Sequence, residues 1–250
     1  VVLAEIAEAD AVAQEMKATP SGIIRVNAPV TFGSHALAAF ITDYLARYPD
    51  VQVELTLSDR IVDPIEEEFE VIVRIGELAA AAVQYSDNTA ANLLLQEIGG
   101  VQALNRFVQG LGDPAFRLDR IEPHLNSAEP GDVRDTTTPL AMAHTLQAMT
   151  LGKGLPQAQQ AQLVSWLKGN TTGAQRIQAG VPAGWQVGDK TGTGGYGTTN
   201  DIAILWPEQG APKVLAIYFT QPDAKAQAQR AILAEATRLV LADEPHSQGK

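Results

Sequence analysis

The sequence predicts a mixed α/β fold: a β-α-β opening, a helical middle, then antiparallel strands closed by a long C-terminal helix. Three observations predict it. Apolar residues alternate with polar ones over 51–57, directly after an amphipathic helical stretch. Between 78 and 168 the apolar spacing turns helical and is punctuated by Gly and Pro. From 185 to 220 three short strand-like runs follow one another, and a helical pattern closes the chain.

In order, Val1 to Lys17 reads as a helix that stops ahead of Pro20-Ser21-Gly22, a turn signal. Ile23 to Val26 is a short strand. Ser34 to Tyr48 places Leu37, Phe40, Ile41, Tyr44 and Leu45 on one helical face. Val51, Val53, Leu55 and Leu57 give the period of a half-buried strand, and Phe69 to Ile75 gives a third. Strand, helix and strand in this order call for a parallel sheet.

Helices are then expected over Leu78 to Gln84, Ala90 to Ile98, Val101 to Leu111, Pro139 to Thr150 and Pro156 to Lys168. Gly99-Gly100 stops the second, and the last two open on Pro at the favoured first position. Trp185 to Lys190, Asp201 to Trp206 and Val214 to Thr220 are the strands. The closing helix spans Ala224 to Leu241.

The 250 residues suffice for one large domain or two small ones. A net charge of −11 opposes nucleic-acid binding, since a phosphate backbone would be repelled. There is no cysteine, which removes disulfide and thiolate chemistry. No stretch approaches the roughly 20 apolar residues of a membrane span. The N-terminal apolar run is interrupted by Glu5, Glu8, Asp10 and Glu15, unlike a secretory signal. The expectation is a cytoplasmic chain with no nucleic-acid or membrane partner, its oligomeric state left open. His35, His124, His144 and His246 lack metal-ligand spacing, and neither a metal nor another cofactor is expected.

Three motifs carry chemistry. Tyr85-Ser86-Asp87-Asn88 is a polar turn between apolar helices, and alone it reads as a helix N-cap. Arg120-Ile121-Glu122-Pro123-His124-Leu125-Asn126 leads to Pro130-Gly131-Asp132-Val133-Arg134-Asp135. Asp189-Lys190-Thr191-Gly192-Thr193-Gly194 ends a strand. Their order and spacing, with Trp166 to Gly173 and Tyr196 to Asp201, resemble the class A serine β-lactamases. The detail is most similar to the cefotaxime-hydrolysing branch, over residues 79–242.

That resemblance implies a β-lactam as the small-molecule partner. It makes Ser86 the hydroxyl that relays a proton to the β-lactam nitrogen, with Asn88 ordering the site. It makes the second motif an Ω-loop in which Glu122 and Asn126 hold the hydrolytic water, Glu122 acting as general base. Arg120 and Asp135 would pair across the loop's neck. Lys190 and Thr191 would attract the substrate carboxylate, and the Thr193 amide would supply half of an oxyanion hole. Gly192 and its neighbours would let the strand lie close against the bound ring. The resembled enzymes are periplasmic or secreted.

One element of the family pattern is missing. Class A enzymes attack with the Ser of a Ser-x-x-Lys motif upstream of the Ser-Asp-Asn turn, its proton going to the Lys or, through a water, to the Ω-loop Glu. Ser21, Ser34 and Ser58 precede Ser86, and none has Lys three residues on. Ser165-Trp166-Leu167-Lys168 and Ser247-Gln248-Gly249-Lys250 read as accidental strings. So does Gly192-x-Gly194-x-x-Gly197 as a dinucleotide motif, because a strand follows it and not a helix. Asn170-Thr171-Thr172 matches a glycosylation acceptor, with meaning only in a secreted chain. Little or no turnover is expected.

The first 78 residues resemble a different family. Gly22 to Gly33, Ala46-Arg47-Tyr48-Pro49-Asp50-Val51, Leu57 to Asp63 and Val73 to Leu78 are similar to the start of a LysR-type regulator's effector domain, which is periplasmic-binding-protein-like. Val1 to Lys17 would be its linker helix, and Thr31 and Ser34 would lie at its first effector loop or cap a helix. The expectation is a chimera with its seam near Gly76-Glu77-Leu78-Ala79: a regulator fragment over 1–78 and a truncated β-lactamase-like region over 79–250. The alternative function is a non-catalytic small-molecule-binding or regulator-derived fusion. Family strands lost at the seam would leave a sheet edge unpaired unless regulator strands such as Ile23 to Val26 or Val51 to Leu57 fill the gap.

Overall fold

The computed structural model describes residues 20–58, 67 and 69–242. The expected helix over 1–17, the run 59–63, His246, the Ser247 to Lys250 string and the side chains of Thr31 and His35 lie outside it. The chain falls into two compact units, one within residues 1–82 and 87–100, the other within 83–86 and 101–250.

The first unit holds a parallel sheet of order β2-β1-β3, built from β1 (Gly22–Ala28), β2 (Val51–Leu57) and β3 (Val71–Ile72). Gly22 pairs with Val51 and Ala28 with Leu57. The chain crosses from β1 to β2 through α1 (Val30–Phe32), a π-helical segment over Gly33–Leu37 and α2 (Ala38–Arg47). Such a crossover is what joins parallel neighbours. Val26, Ala28, Phe32, Leu37 and Val73 form the core, with Leu78, Ala81, Ala90 and Leu93. Ser34 donates to the Val30 carbonyl at 2.7 Å, so this hydroxyl bonds back within the helix and is not an N-cap.

The third strand is shorter than expected. Only Val71 and Ile72 pair, with Val26 and Asn27. Val73 donates its N–H to the Asn27 carbonyl, and Arg74 turns its guanidinium onto Asn27 Oδ1 at 2.9 Å. The helix α3 (Ile75–Ala80) then begins three residues earlier than its apolar pattern suggested, and continues as a π-helical segment over Ala81–Tyr85. Next comes α4 (Asn88–Glu97), capped by the Asp87 carboxylate, which accepts from the Ala90 N–H at 2.7 Å.

The second unit runs α5 (Val101–Gly110), the expected Ω-loop, α6 (Pro139–Thr150), α7 (Gln157–Lys168), α8 (Ile177–Gly180), β4 (Gln186–Thr193), β5 (Thr199–Trp206), β6 (Lys213–Phe219) and α9 (Arg230–Ala242). The sheet is antiparallel in the order β4-β5-β6. Both sheets therefore contain only their own unit's strands, and among the described residues no strand of the first unit joins β4-β5-β6.

β5 is buried on both faces, which its near-continuous apolar run Ile202 to Trp206 requires. On one face Ile204 packs with Leu146 of α6 and Leu167 of α7. On the other, Ala203 and Leu205 pack with Ile177 of α8, with Leu241 of α9 alongside. The closing helix starts six residues later than expected. Asp223 binds the Lys225 and Ala226 N–H groups in a turn, and the Gln229 N–H is held by the Thr199 hydroxyl. Among the described residues no helix is long and apolar enough to cross a membrane.

Candidate active site

β4 extends three residues past the expected end and carries Lys190, Thr191, Gly192 and Thr193 in register with Ile202, Asp201, Asn200 and Thr199 of β5. Lys190 Nζ reaches Ser86 Oγ at 2.6 Å and the Thr191 carbonyl at 2.8 Å. Ser86 is exposed and sits at φ 58°, a left-handed conformation that costs a non-glycine residue about 1–2 kcal/mol. Burial, and then the Arg176 charge, hold the Lys190 ammonium below its ordinary value, while Asp189, Asp201 and Glu122 oppose that shift.

A buried polar layer supports this strand. Asn170 donates to Asp189 Oδ2 at 2.6 Å and accepts from the Thr172 N–H and hydroxyl. The Thr172 hydroxyl also lies 2.6 Å from that of Thr191. With the Thr172 proton given to Asn170, the Thr191 hydroxyl is the donor in that contact. Asn170 is thus engaged inside the fold, which removes the glycosylation reading. Gly173 fits because a Cβ there would stand 1.9 Å from Asp189 Oδ2.

Arg176, only 3% exposed, donates to the carbonyls of Gly192 and Asn200 and, at 2.7 Å, to Thr193 Oγ1. Its guanidinium has no carboxylate in contact in any of these bonds. Burial lowers its pKa, against the pull of Asp201. Asp189 and Asp201 neighbour each other, 2% and 0% exposed. Burial raises both, Asp201 to about 8, with the Asp189 charge adding to it. Asp201 Oδ2 accepts from the Ile177 N–H at 3.0 Å, and its buried Oδ1 has no hydrogen-bond partner, which together with burial and the Asp189 charge favours the protonated carboxyl.

The Ω-loop closes at its neck through Arg120 and Asp135. Arg120 Nε donates to Asp135 Oδ2 at 2.6 Å, and Asp135 Oδ1 accepts the N–H groups of Asp119 and Arg120. Arg117 and Thr136 add a two-residue antiparallel bridge. Within the loop Asn126 donates to Glu122 Oε2 at 2.5 Å. The Asn126 carbonyl accepts the Gly195 N–H at 2.8 Å, so the loop rests on the turn after β4. A Cβ on Gly194 or Gly195 would stand 2.8 Å and 2.4 Å from the carbonyl oxygens of Asn126 and Ser127. These glycines therefore serve loop packing, whereas a Cβ on Gly192 would meet nothing nearer than Asn200 at 3.6 Å.

The structure thus joins Ser86 to Lys190, Asn126 to Glu122 and Arg120 to Asp135. Asn88 is the first residue of α4, in the other unit. The Ser165 to Lys168 string is occupied otherwise: Ser165 is exposed on α7, and Lys168 binds Gln186 and lies 4.3 Å over the Trp206 ring.

Comparison with known proteins decides the family. The model of the β-lactamase enzyme family matches residues 50–243. The chain belongs to that family.

This β-lactamase-family chain is 58% identical over 191 residues to β-lactamase CTX-M-97 from Escherichia coli, covering 76% of the chain and 66% of that relative. Among solved structures, an ancestral class A β-lactamase matches with TM-score 0.66 at 54% identity, over 69% of the chain and 66% of the other. The β-lactamase from Streptomyces albus G matches with TM-score 0.68 at 44% identity, over 69% and 65%. The fold is the mixed α/β class A β-lactamase fold, of which the chain spans slightly under two thirds of its relatives' length.

Sequence reasoning missed Arg176, Asn170 and Thr172 as supports of this candidate site, and the buried pairing of Asp189 with Asp201. Asn170 and Thr172 lie in the resembling run Trp166 to Gly173 and in a glycosylation string, but neither reading gives them a role at the site. Arg176 is one basic residue in an irregular segment, and its role depends on two strands meeting above it.

Proposed function

We propose that this chain binds β-lactams through Lys190, Thr191 and Thr193 and hydrolyses them little or not at all. The observation carrying the reading is the 2.6 Å contact between Lys190 Nζ and Ser86 Oγ, at the strand end that also presents the exposed Thr193. A cation and hydroxyls on one strand end suit an anionic small molecule. In this reading Ser86 acts as proton relay and the Thr193 amide is an oxyanion donor. Glu122, fixed by Asn126, is the base for deacylation. Arg176 adds a fixed positive charge below Thr193.

Impaired turnover rests on the sequence, in which no Ser upstream of Ser86 has Lys three residues on. Loss of a catalytic Ser costs on the order of a million-fold in turnover. The test pairs a chromogenic cephalosporin with thermal unfolding. Expected are no catalytic colour change and a rise in Tm with β-lactam that Lys190→Ala removes. Turnover at ordinary enzyme rates would overturn the impairment, and an unchanged Tm would overturn the binding.

A second reading concerns residues 1–78 as a LysR-type regulator fragment fused near residues 76–79, in a protein that binds a small molecule without catalysis. The parallel β2-β1-β3 sheet with its helical crossover supports it. The family match beginning at residue 50 weighs against a seam so late.

A further inference from the structure

Ser86 and Lys190 meet in a way that a binding site alone does not require. The Ser86 hydroxyl is exposed, held in a left-handed backbone conformation at φ 58°, and lies 2.6 Å from an amine. A hydroxyl becomes a nucleophile when an adjacent base takes its proton, and a Ser–Lys pair is one established way to achieve this. The amine is largely withdrawn from water and shares its surroundings with the fixed charge of Arg176, both of which favour its neutral form. Arg176 remains charged below Thr193, so the loss of one positive charge leaves another for an anion to meet.

We propose that Ser86, with Lys190 as its base, is a β-lactam acyl acceptor in this chain, and so takes part in one covalent step that the missing Ser-x-x-Lys would otherwise perform. The proposal rests on the binding reading above. In a penicillin the carboxylate and the lactam carbonyl are only a few bonds apart, so an anion held at the exposed Thr193 hydroxyl, over the Arg176 charge, can present its ring to Ser86. The Ser86 oxygen attacks the lactam carbonyl carbon, and its proton passes to neutral Lys190. The carbon–nitrogen bond of the ring then breaks, and Lys190 returns the proton to the departing nitrogen. The products are an ester on Ser86 and a ring-opened amine, with no change of oxidation state. Ser165, the other described candidate, has its Lys168 bound to Gln186 and stacked on Trp206, and offers no such base.

The test incubates the whole chain with benzylpenicillin and follows intact mass, peptide mapping and Tm. Expected is a gain of one benzylpenicillin mass on the peptide carrying Ser86, absent in Ser86→Ala and retained in Ser86→Cys. In Lys190→Arg, which keeps a charge but has no accessible neutral form, acylation slows by about 100-fold. The rate should climb with pH to an inflection below 10.5, the ordinary lysine value. An adduct on any other residue, or equal rates in Lys190→Arg, would overturn the proposal. A Tm rise with no adduct would overturn it while leaving the binding reading intact; neither adduct nor Tm rise would end both.

Discussion

The Arg176 guanidinium donates to the Thr193 side-chain oxygen at 2.7 Å while binding the carbonyls of Gly192 and Asn200, so one buried cation ties β4 to β5 at the point where both reach the site. Arg176→Ala leaves those acceptors without their donor in a dry setting, at a cost of about 3 kcal/mol. Urea unfolding at pH 7 measures it. Arg176→Lys recovers only part, because an ammonium cannot span three acceptors in a planar fork.

Asp201 yields a pH dependence of unusual sign. Its folded pKa is raised to about 8 from an ordinary 3.8, so between these values the folded chain holds a proton that the unfolded chain releases. The contribution is complete below pH 4 and is lost as pH climbs to 8. The urea midpoint should therefore decline from pH 5 to 8 more steeply in the parent than in Asp201→Asn. Equal slopes would show that the pair does not retain its proton.

Asp135→Ala removes the acceptor of three donors at the Ω-loop neck and leaves the Arg120 guanidinium with its longer, 3.7 Å contact to Asp132. A loss of about 2 kcal/mol is expected. Hydrogen exchange should quicken at the amides of Asp119 and Arg120 and leave those of β5 unchanged.

Gly195→Ala places a methyl group 2.4 Å from the Ser127 carbonyl, and backbone must move to admit it. The expected cost is about 1–3 kcal/mol. Limited proteolysis should then cut within residues 122–130 sooner than in the parent, while Gly192→Ala, whose Cβ would make only an ordinary 3.6 Å contact with Asn200, should leave that cleavage unaltered.

The parts of the fold legible from the sequence were those whose signal is periodic. The alternation over Val51 to Leu57 and the apolar run of β5 gave strands where strands are. Phe69 to Ile75 did not, because apolar content cannot reveal that Asn27 and Arg74 end the pairing after two residues. At the site, Lys190, Thr191 and Ser86 were legible as motifs because each lies in a short contiguous string. The roles of Arg176, Asn170 and Asp201 were not, since their partners come from segments up to 24 residues away and meet them only in the folded chain.

The left-handed backbone at Ser86 sets two kinds of selection against each other. Glycine would relax that turn, and it would also delete the hydroxyl that Lys190 touches. A library of this chain sorted for heat resistance should thus accumulate Gly at position 86, while one sorted for capture of β-lactams should purge it. The same residue would then look dispensable or essential according to which pressure the population had met first.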